Sequence, residues 1–304
     1  MGDQTRDAAR RNLLIVPDNR LDDVQGDGIP ATLSGGAWIA ARPLSNLLDP
    51  RFIVAAESDG VDPGATRFVI DYGAVVDLRA CILWGDPSRS ARVRRRISLD
   101  GGPDPAEVVR DSAWQDWIPV TGPAWTLPRA HPSFGHGRIP ERELRQYPQR
   151  FWHDVAPEPV LGRFEHIDID DGGNPAGRIR LQRCWTGSGW QTSVPVEFGA
   201  EWGWEDLSEI RTLLSGRVDA EHRPRRRTMH VRIEGLPEDE ALSQVYDMIG
   251  RVGISRQLYV SWDPTETMHR HRRSGLARMA RLTPSQLARH DWVDSGVQFI
   301  EEVA

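Results

Sequence analysis

The stretch "ATRFVIDYGAVVDLRACILWG", residues 65–85, decides the fold class. Its two runs, "RFVIDYG" and "VVDLRACILW", are rich in β-branched and aromatic residues and bounded by Gly and Asp, the pattern of buried strands in an antiparallel sandwich. They read as two successive strands joined by a tight turn. Residues 41–85 hold no nucleophile motif, phosphate loop or metal-ligand cluster, so this region reads as scaffold.

Working outward, "SARVRRRISLDGG" places Arg92, Arg94 and Arg96 on one face of a strand and Val93, Ile97 and Leu99 on the other. Arg95 falls on the apolar face. Two outcomes are open: a β-bulge turns it outward, or it forms a buried pair with a nearby carboxylate. The Arg92, Arg94, Arg96 stripe suggests an anion site or a subunit contact, against the plainer reading of a solvated face.

Further on, "RFEHIDID" and "RIRLQRCW" alternate around the turn-rich "DGGNPAG", which reads as a hairpin with a long turn. Asp168, Asp170 and Asp171 in that segment are candidate calcium ligands, although their spacing matches no EF-hand loop and Asp also serves plain turns. Between these strands and the first ones, residues 119–160 are rich in Pro and aromatic residues, with only a short helical hint at "PERELRQ". A loop of that length, carrying Trp125, Phe134, Tyr147, Phe151 and Trp152, is expected to pack on a neighbouring chain.

Residues 1–36 are polar and broken, and read as an extended arm that orders on something else. A second boundary is expected near "TGSGWQTSVPV", giving a sandwich over 37–190 and a second β-rich domain, barrel or sandwich, over 191–304. Apparent strands follow at "VPVEFGAEWGW", "RRRTMHVRIEG", "RQLYVSWD", "SGLARMARL" and "VQFIEEV". One helix interrupts them: "LPEDEALSQVYDMIGRVG" starts with Pro237 and acidic residues, spaces Ala241, Leu242, Val245, Met248 and Ile249 on a helical period, and ends in Gly.

Composition bounds the rest. The 304 residues are 39% hydrophobic, enough for about two domains. A net charge of -6 opposes general nucleic-acid binding, which needs a basic surface. No apolar run reaches the ~20 residues of a membrane span, so no membrane insertion is expected. Cys81 and Cys184, each inside a strand-like run, are expected to be buried free thiols. His269 and His271, if on a strand, share a face and could hold a metal, but the flanking Arg270, Arg272 and Arg273 oppose a bound cation. No paired general acid and base can be nominated, "GSGW" lacks the spacing of a nucleophile elbow, and no enzyme activity or cofactor is expected.

Twelve tryptophans stand out. Trp38, Trp84, Trp114, Trp117, Trp202, Trp204 and Trp262 lie near turns or polar sites, where indoles serve as partner anchors, as sugar-stacking platforms or as core.

The ordered set "ARPLSNLLDP", "ATRFVIDYGAVVDLRACILWG", "RVRRRISLDGG", "DSAWQDW" and "FEHIDIDDGGNPAGRIRLQRCWTGSGW" resembles the discoidin-type, galactose-binding-like jelly roll. It is similar in particular to the version that opens certain tail proteins of tailed phages, and the similarity continues through the "YVSWDP" and "HR" steps, covering about 37–304. The resemblance implies a structural component of a phage tail tip, located in the virion tail and assembled in the host cytoplasm. Its partners would be itself, as a homo-oligomeric ring, and other tail proteins. The alternative it implies is a carbohydrate-binding module for attachment to a host surface glycan. Loops at one end hold ligands in such jelly rolls, and their sequences vary, so no sugar-binding residue carries over.

Overall fold

The computed structural model describes residues 12–22, 31–102, 104–120, 128–130, 134, 137–139, 144, 147, 149–196, 199–212 and 215–303. The protein is mainly β, built from antiparallel sheets with one substantial helix. It divides into two compact units. The first comprises Asp18–Gly189 with Glu266–Arg272, and the second comprises Met1–Pro17, Trp190–Thr265 and Arg273–Ala304.

Strand β1 (Leu14–Val16) belongs to the second unit. The first unit contains β2 (Thr32–Ser34), β3 (Ala56–Glu57), the short helix α1 (Pro63–Thr66), β4 (Phe68–Gly85), β5 (Arg92–Ser98), β6 (Val108–Asp111), β7 (Gln115–Asp116), β8 (Phe151–Asp170) and β9 (Arg180–Gly187). Their order across the sheet is β3-β9-β4-β8-β5-β6, with β2 beside β4 and β7 beside β5. "RFVIDYGAVVDLRACILW" is thus not two strands and a turn but one strand, β4, with a bulge. Asp71 pairs with Phe164 and Val76 with Gly162, leaving 72–75 unpaired, and Gly73 takes φ 72° inside that bulge.

A second bulge sets Arg79 opposite residues 156–159 of β8. Pro157 and Pro159 sit where no ladder N–H is required, which is why a proline-bearing segment still forms a strand. The expected loop therefore ends at Phe151, not at residue 160. Bulges bend strands, and the sheet doubles over its core: Phe68 and Ile70 from the first half of β4 join Leu78, Cys81 and Leu83 from the second half in one apolar cluster with Val93, Trp117, Trp152, Ile167, Leu181 and Cys184.

The expected hairpin is also replaced. β8 and β9 both pair with β4, on opposite sides, so "DGGNPAG" is a connection between strands that are not neighbours. Alternation marked both strands correctly, but their partner is the long central strand that buries both of them.

Arg95 takes the buried-pair outcome. Its side chain is fully buried, donates through Nη1 to Asp154 at 3.1 Å and through Nη2 to Glu165. Arg110 Nη2 reaches the same Asp154 at 2.7 Å, Thr186 Oγ1 donates to Glu165 at 3.1 Å, and the Tyr72 hydroxyl meets Thr186 at 3.0 Å. A buried charge is tolerated only when it is paired, and these partners come from β4, β5, β6, β8 and β9, so the network ties five strands to one register.

The second unit contains β10 (Trp190–Gln191), β11 (Glu201–Asp206), β12 (Glu209–Thr212), β13 (Val218–Glu221), β14 (Arg225–Pro237), β15 (Leu258–Ser261), β16 (Ser274–Arg281), β17 (Gln286–Arg289) and β18 (Trp292–Glu301). Their main sheet runs β10-β1-β15-β16-β18-β14-β11, with β17 beside β18 and β12-β13 as a separate pair. Helix α2 spans Glu238–Val252, with a π turn over Ala241–Tyr246. Glu238, Asp239 and Glu240 complement its N-terminal dipole, and Gly253, at φ 58°, ends it. Ala241, Val245, Met248 and Val252 pack on Val231, Ile233, Val260, Met279 and Phe299 of the sheet.

The described part of the N-terminal segment is not a free arm. Leu13, Leu14, Ile15 and Val16 are fully buried, with β1 paired to β10 and β15, while Asn19 and Asp22 are bound into the first unit. The four consecutive apolar residues "LLIV" thus supply a strand flanked on both sides. Residues 1–11 and 23–30 of that segment lie outside the described residues, as do Trp125 and, Leu144 apart, "PERELRQ".

Candidate functional site

At one end of the first unit three connections are locked together. The Asp171 carboxylate accepts from the Ser88 backbone N–H at 3.0 Å, from the Ser88 hydroxyl and from Asn174 Nδ2 at 2.8 Å, and the Asp171 N–H donates to Val61 O at 3.0 Å. Residues 59–66, 86–91 and 171–179 are thereby held as one rigid rim. Asp62 adds to it by capping α1, accepting from the Gly64 N–H at 3.1 Å.

Beside this rim β5 begins and β8 ends. Arg92 pairs in register with Asp170 of β8 and Asp116 of β7, and its Nη2 donates to Asp170 Oδ2 at 2.7 Å. The same guanidinium lies 5.6 Å from the ring centroid of Trp114, which projects from the short β6–β7 connection and is 38% exposed. A partly exposed indole, a fixed cation and a fixed carboxylate thus share one small surface. Cation–π contact and ion pairing together hold Arg92 in place, so its remaining N–H donors are presented in a set direction.

The other members of the stripe are committed to carboxylates of their own unit. Arg94 Nε donates to both oxygens of Asp111, at 3.0 and 3.2 Å, and that hydrogen bond lowers the Asp111 pKa. Arg96 is buried against Asp168 at 2.8 Å, and Arg67 Nε lies 3.8 Å from the same carboxylate. The stripe is therefore a row of ion pairs rather than an open anion site, with Arg96 buried and Arg92 and Arg94 reaching solvent.

The calcium candidates have partners of the wrong sign for a cation site. Asp168 and Asp170 face arginines, and Asp171 is filled by Ser88 and Asn174. Among the described residues no group of three His, Cys, Asp or Glu side chains is placed to hold a metal. His269 and His271 do not share a strand face: His271 lies in a one-turn helix, α3 (Arg270–Arg273), where it is buried beside Tyr147 and Phe151, at 6.4 and 5.0 Å between ring centroids.

The aromatic anchors expected in the long loop separate. Phe151 and Trp152 are fully buried in β8 inside their own unit, Trp152 in the main core and Phe151 at 6.0 Å from Trp84, so the reading of these two as contacts to a neighbouring chain is corrected. Phe134 is exposed, and Tyr147 is half-buried, its hydroxyl accepting from Arg272 Nε at 2.8 Å. Of the turn-adjacent tryptophans, Trp84 and Trp117 are core residues, while Trp114, Trp202 and Trp204 are exposed.

One contact invisible in the sequence is His166 Nε2 with Ser98 Oγ, at 2.8 Å across β5 and β8. Both side chains are buried, and burial lowers the His166 pKa, disfavouring the charged imidazolium. The pair stitches two strands together and faces no open surface.

No family model matches the chain, and no curated protein matches it. The solved structures it resembles include CBM32 domains of the galactose-binding-like jelly-roll type. It is similar to CBM32-1 from a family 31 glycoside hydrolase of Clostridium perfringens, with a TM-score of 0.34 and 12% identity over 53% of this chain and 96% of that one. A second, CpGH89CBM32-6 of the same organism, has a TM-score of 0.34 and 10% identity over 56% and 99%. A third, the CBM32 of AlyQ in complex with 4,5-unsaturated mannuronic acid, has a TM-score of 0.32 and 11% identity over 51% and 93%. These likenesses span about half of the chain, at identities too low to transfer a ligand residue.

Proposed function

We propose that this chain is a non-catalytic glycan-binding protein whose first unit is a jelly roll that holds a sugar at Trp114. The observation that carries the reading is the position of Arg92, which ion-pairs with Asp170 at 2.7 Å while lying 5.6 Å from the half-exposed Trp114 ring. A pyranose presents an apolar C–H face and a rim of hydroxyls. The indole matches the face, and Arg92 and Asp170 supply a donor and an acceptor for the rim. Loops fastened to one another by Asp171 keep that surface preorganised, which reduces the entropy lost on binding.

The test is a glycan array with the full chain, followed by titration calorimetry on the sugars retained. Trp114→Ala is expected to weaken binding about tenfold, the equivalent of losing one stacking contact. No retained glycan, or binding untouched by Trp114→Ala, overturns the reading.

The ordered motifs across 37–304 favour a second, compatible reading, in which the protein is a tail-tip component of a tailed phage and the glycan belongs to the host surface. In that setting it forms a homo-oligomeric ring, contacts other tail proteins and resides in the virion. Antibody labelling of purified particles checks this, and particles without label at the tail overturn it.

A further inference from the structure

We propose that the second unit carries its own platform for neutral glycans on β11, built from Trp202, Trp204, Trp262 and Arg273. β11 lies at the end of the sheet and, among the described residues, pairs on one side only, with β14. Trp202 and Trp204 are two residues apart, so both rings project from the same face about 6.8 Å apart along the strand. They are 45% and 53% exposed. Trp262 meets Trp202 at 4.7 Å between ring centroids with 57° between the planes, and the Arg273 guanidinium lies 5.2 Å from the Trp202 centroid. Trp202, Trp262 and Arg273 thus form one angled cluster, which Trp204 extends along the strand. It begins where the core ends, since Trp202 stands opposite Met229, which packs on that core.

The charges select the occupant. Glu205 is paired to Arg226 at 2.7 Å and Asp206 to Arg225 at 2.9 Å, which leaves the 80% exposed Glu201 and the Arg273 cation, one charge of each sign, beside the indoles and little net field for a charged ligand. A second copy adding its β11 antiparallel at this edge gains no charge complementarity: in either centred register Glu201 stands opposite Glu205 or Asp206, each already held by an arginine of β14. Strand addition would also use the backbone edge and leave the ring faces open. A neutral polysaccharide chain uses those faces, stacking successive sugar rings on Trp202 and Trp204, with Arg273 as a hydroxyl donor.

The experiment titrates the full chain with cellohexaose, chitohexaose, maltohexaose and mannohexaose, read by calorimetry and by tryptophan fluorescence. At least one oligosaccharide is expected to bind, with a loss of about tenfold in W202A and in W204A and unchanged binding at this site in W114A. Thermal melts confirm that the exposed-edge variant W204A remains folded, and W202F, which keeps an aromatic face, is expected to retain most of the binding. Binding lost in W114A but intact in W202A and W204A leaves the Trp114 site standing and overturns this one. Failure of all four oligosaccharides to bind overturns it too. A concentration-dependent dimer abolished by W204A, with no sugar binding, assigns the surface to a second copy and likewise overturns it.

Discussion

Arg183 and Asp22, 161 residues apart in sequence, form a closed ion pair in which Arg183 Nη2 donates to both carboxylate oxygens at 2.6 and 2.7 Å. The Arg183 side chain is fully buried and also donates through Nη1 to the carbonyls of Leu47 and Leu48, each at 3.3 Å. One guanidinium therefore joins β9, the "SNLLDP" turn and the N-terminal segment. Asp22→Ala leaves that cation buried without its carboxylate and is expected to cost about 2 to 4 kcal/mol. Urea unfolding checks the value; a change below about 0.5 kcal/mol would show that the N-terminal segment contributes no stability here.

The Asp154 carboxylate predicts how stability depends on acid. Burial works to raise its pKa, but the hydrogen bond from Arg110 and the charge of Arg95 outweigh this and hold it below the ordinary value of 3.8. A carboxyl whose folded pKa is depressed contributes stability that is present above the unfolded value and is lost as pH falls through the folded one. The urea midpoint is therefore expected to hold down to about pH 4 and to drop below it. Asp154→Asn is expected to lower the midpoint at pH 7 and to flatten the acid limb, and an unchanged limb refutes the assignment.

Cys81 and Cys184 are buried free thiols on neighbouring strands, in one apolar cluster. A hydrogen bond to Cys184, burial and the nearby Glu165 charge raise the Cys81 pKa, so the reactive thiolate is scarce in the folded protein. Iodoacetamide at pH 8 is expected to label neither thiol in the native chain and both in urea, as mass spectrometry would read. Rapid native labelling of either contradicts the packing.

Gly36 has φ +69°, and a Cβ placed there would lie 2.4 Å from the Arg67 carbonyl oxygen and 2.6 Å from the Trp38 indole nitrogen. Gly36→Ala combines a disfavoured backbone with a clash against main chain, and is expected to destabilise the protein by about 1 to 3 kcal/mol. A shift in Trp38 fluorescence, compared against Trp38→Phe, would locate the disturbance; an unchanged melting temperature excludes it.

Period-two alternation marked β5, β9 and the last part of β8, β-branched runs marked the two halves of β4, and the apolar spacing from Ala241 to Ile249 marked α2, because these patterns are local properties of the chain. The same local patterns placed Cys81 and Cys184 in the core and limited Arg95 to two outcomes. They also placed Trp114 beside a turn, though nothing in the linear order joined it to Arg92.

Tertiary structure decided what depends on distant partners. β8 and β9 flank β4 instead of pairing with each other, since a long strand buried on both sides offers each of them more contact than a hairpin would. Pro157 and Pro159 entered a strand because a bulge removed the hydrogen bonds they cannot make. "LLIV" became a central strand only because β10 and β15 lie on either side of it. Arg95 went inward because Asp154 and Glu165 converge on it from β8, and the Trp114 surface exists because β5, β7 and β8 bring Arg92 to it. Which face a residue occupies is written in its nearest neighbours; which residue it meets depends on loop closure and burial summed over the whole unit.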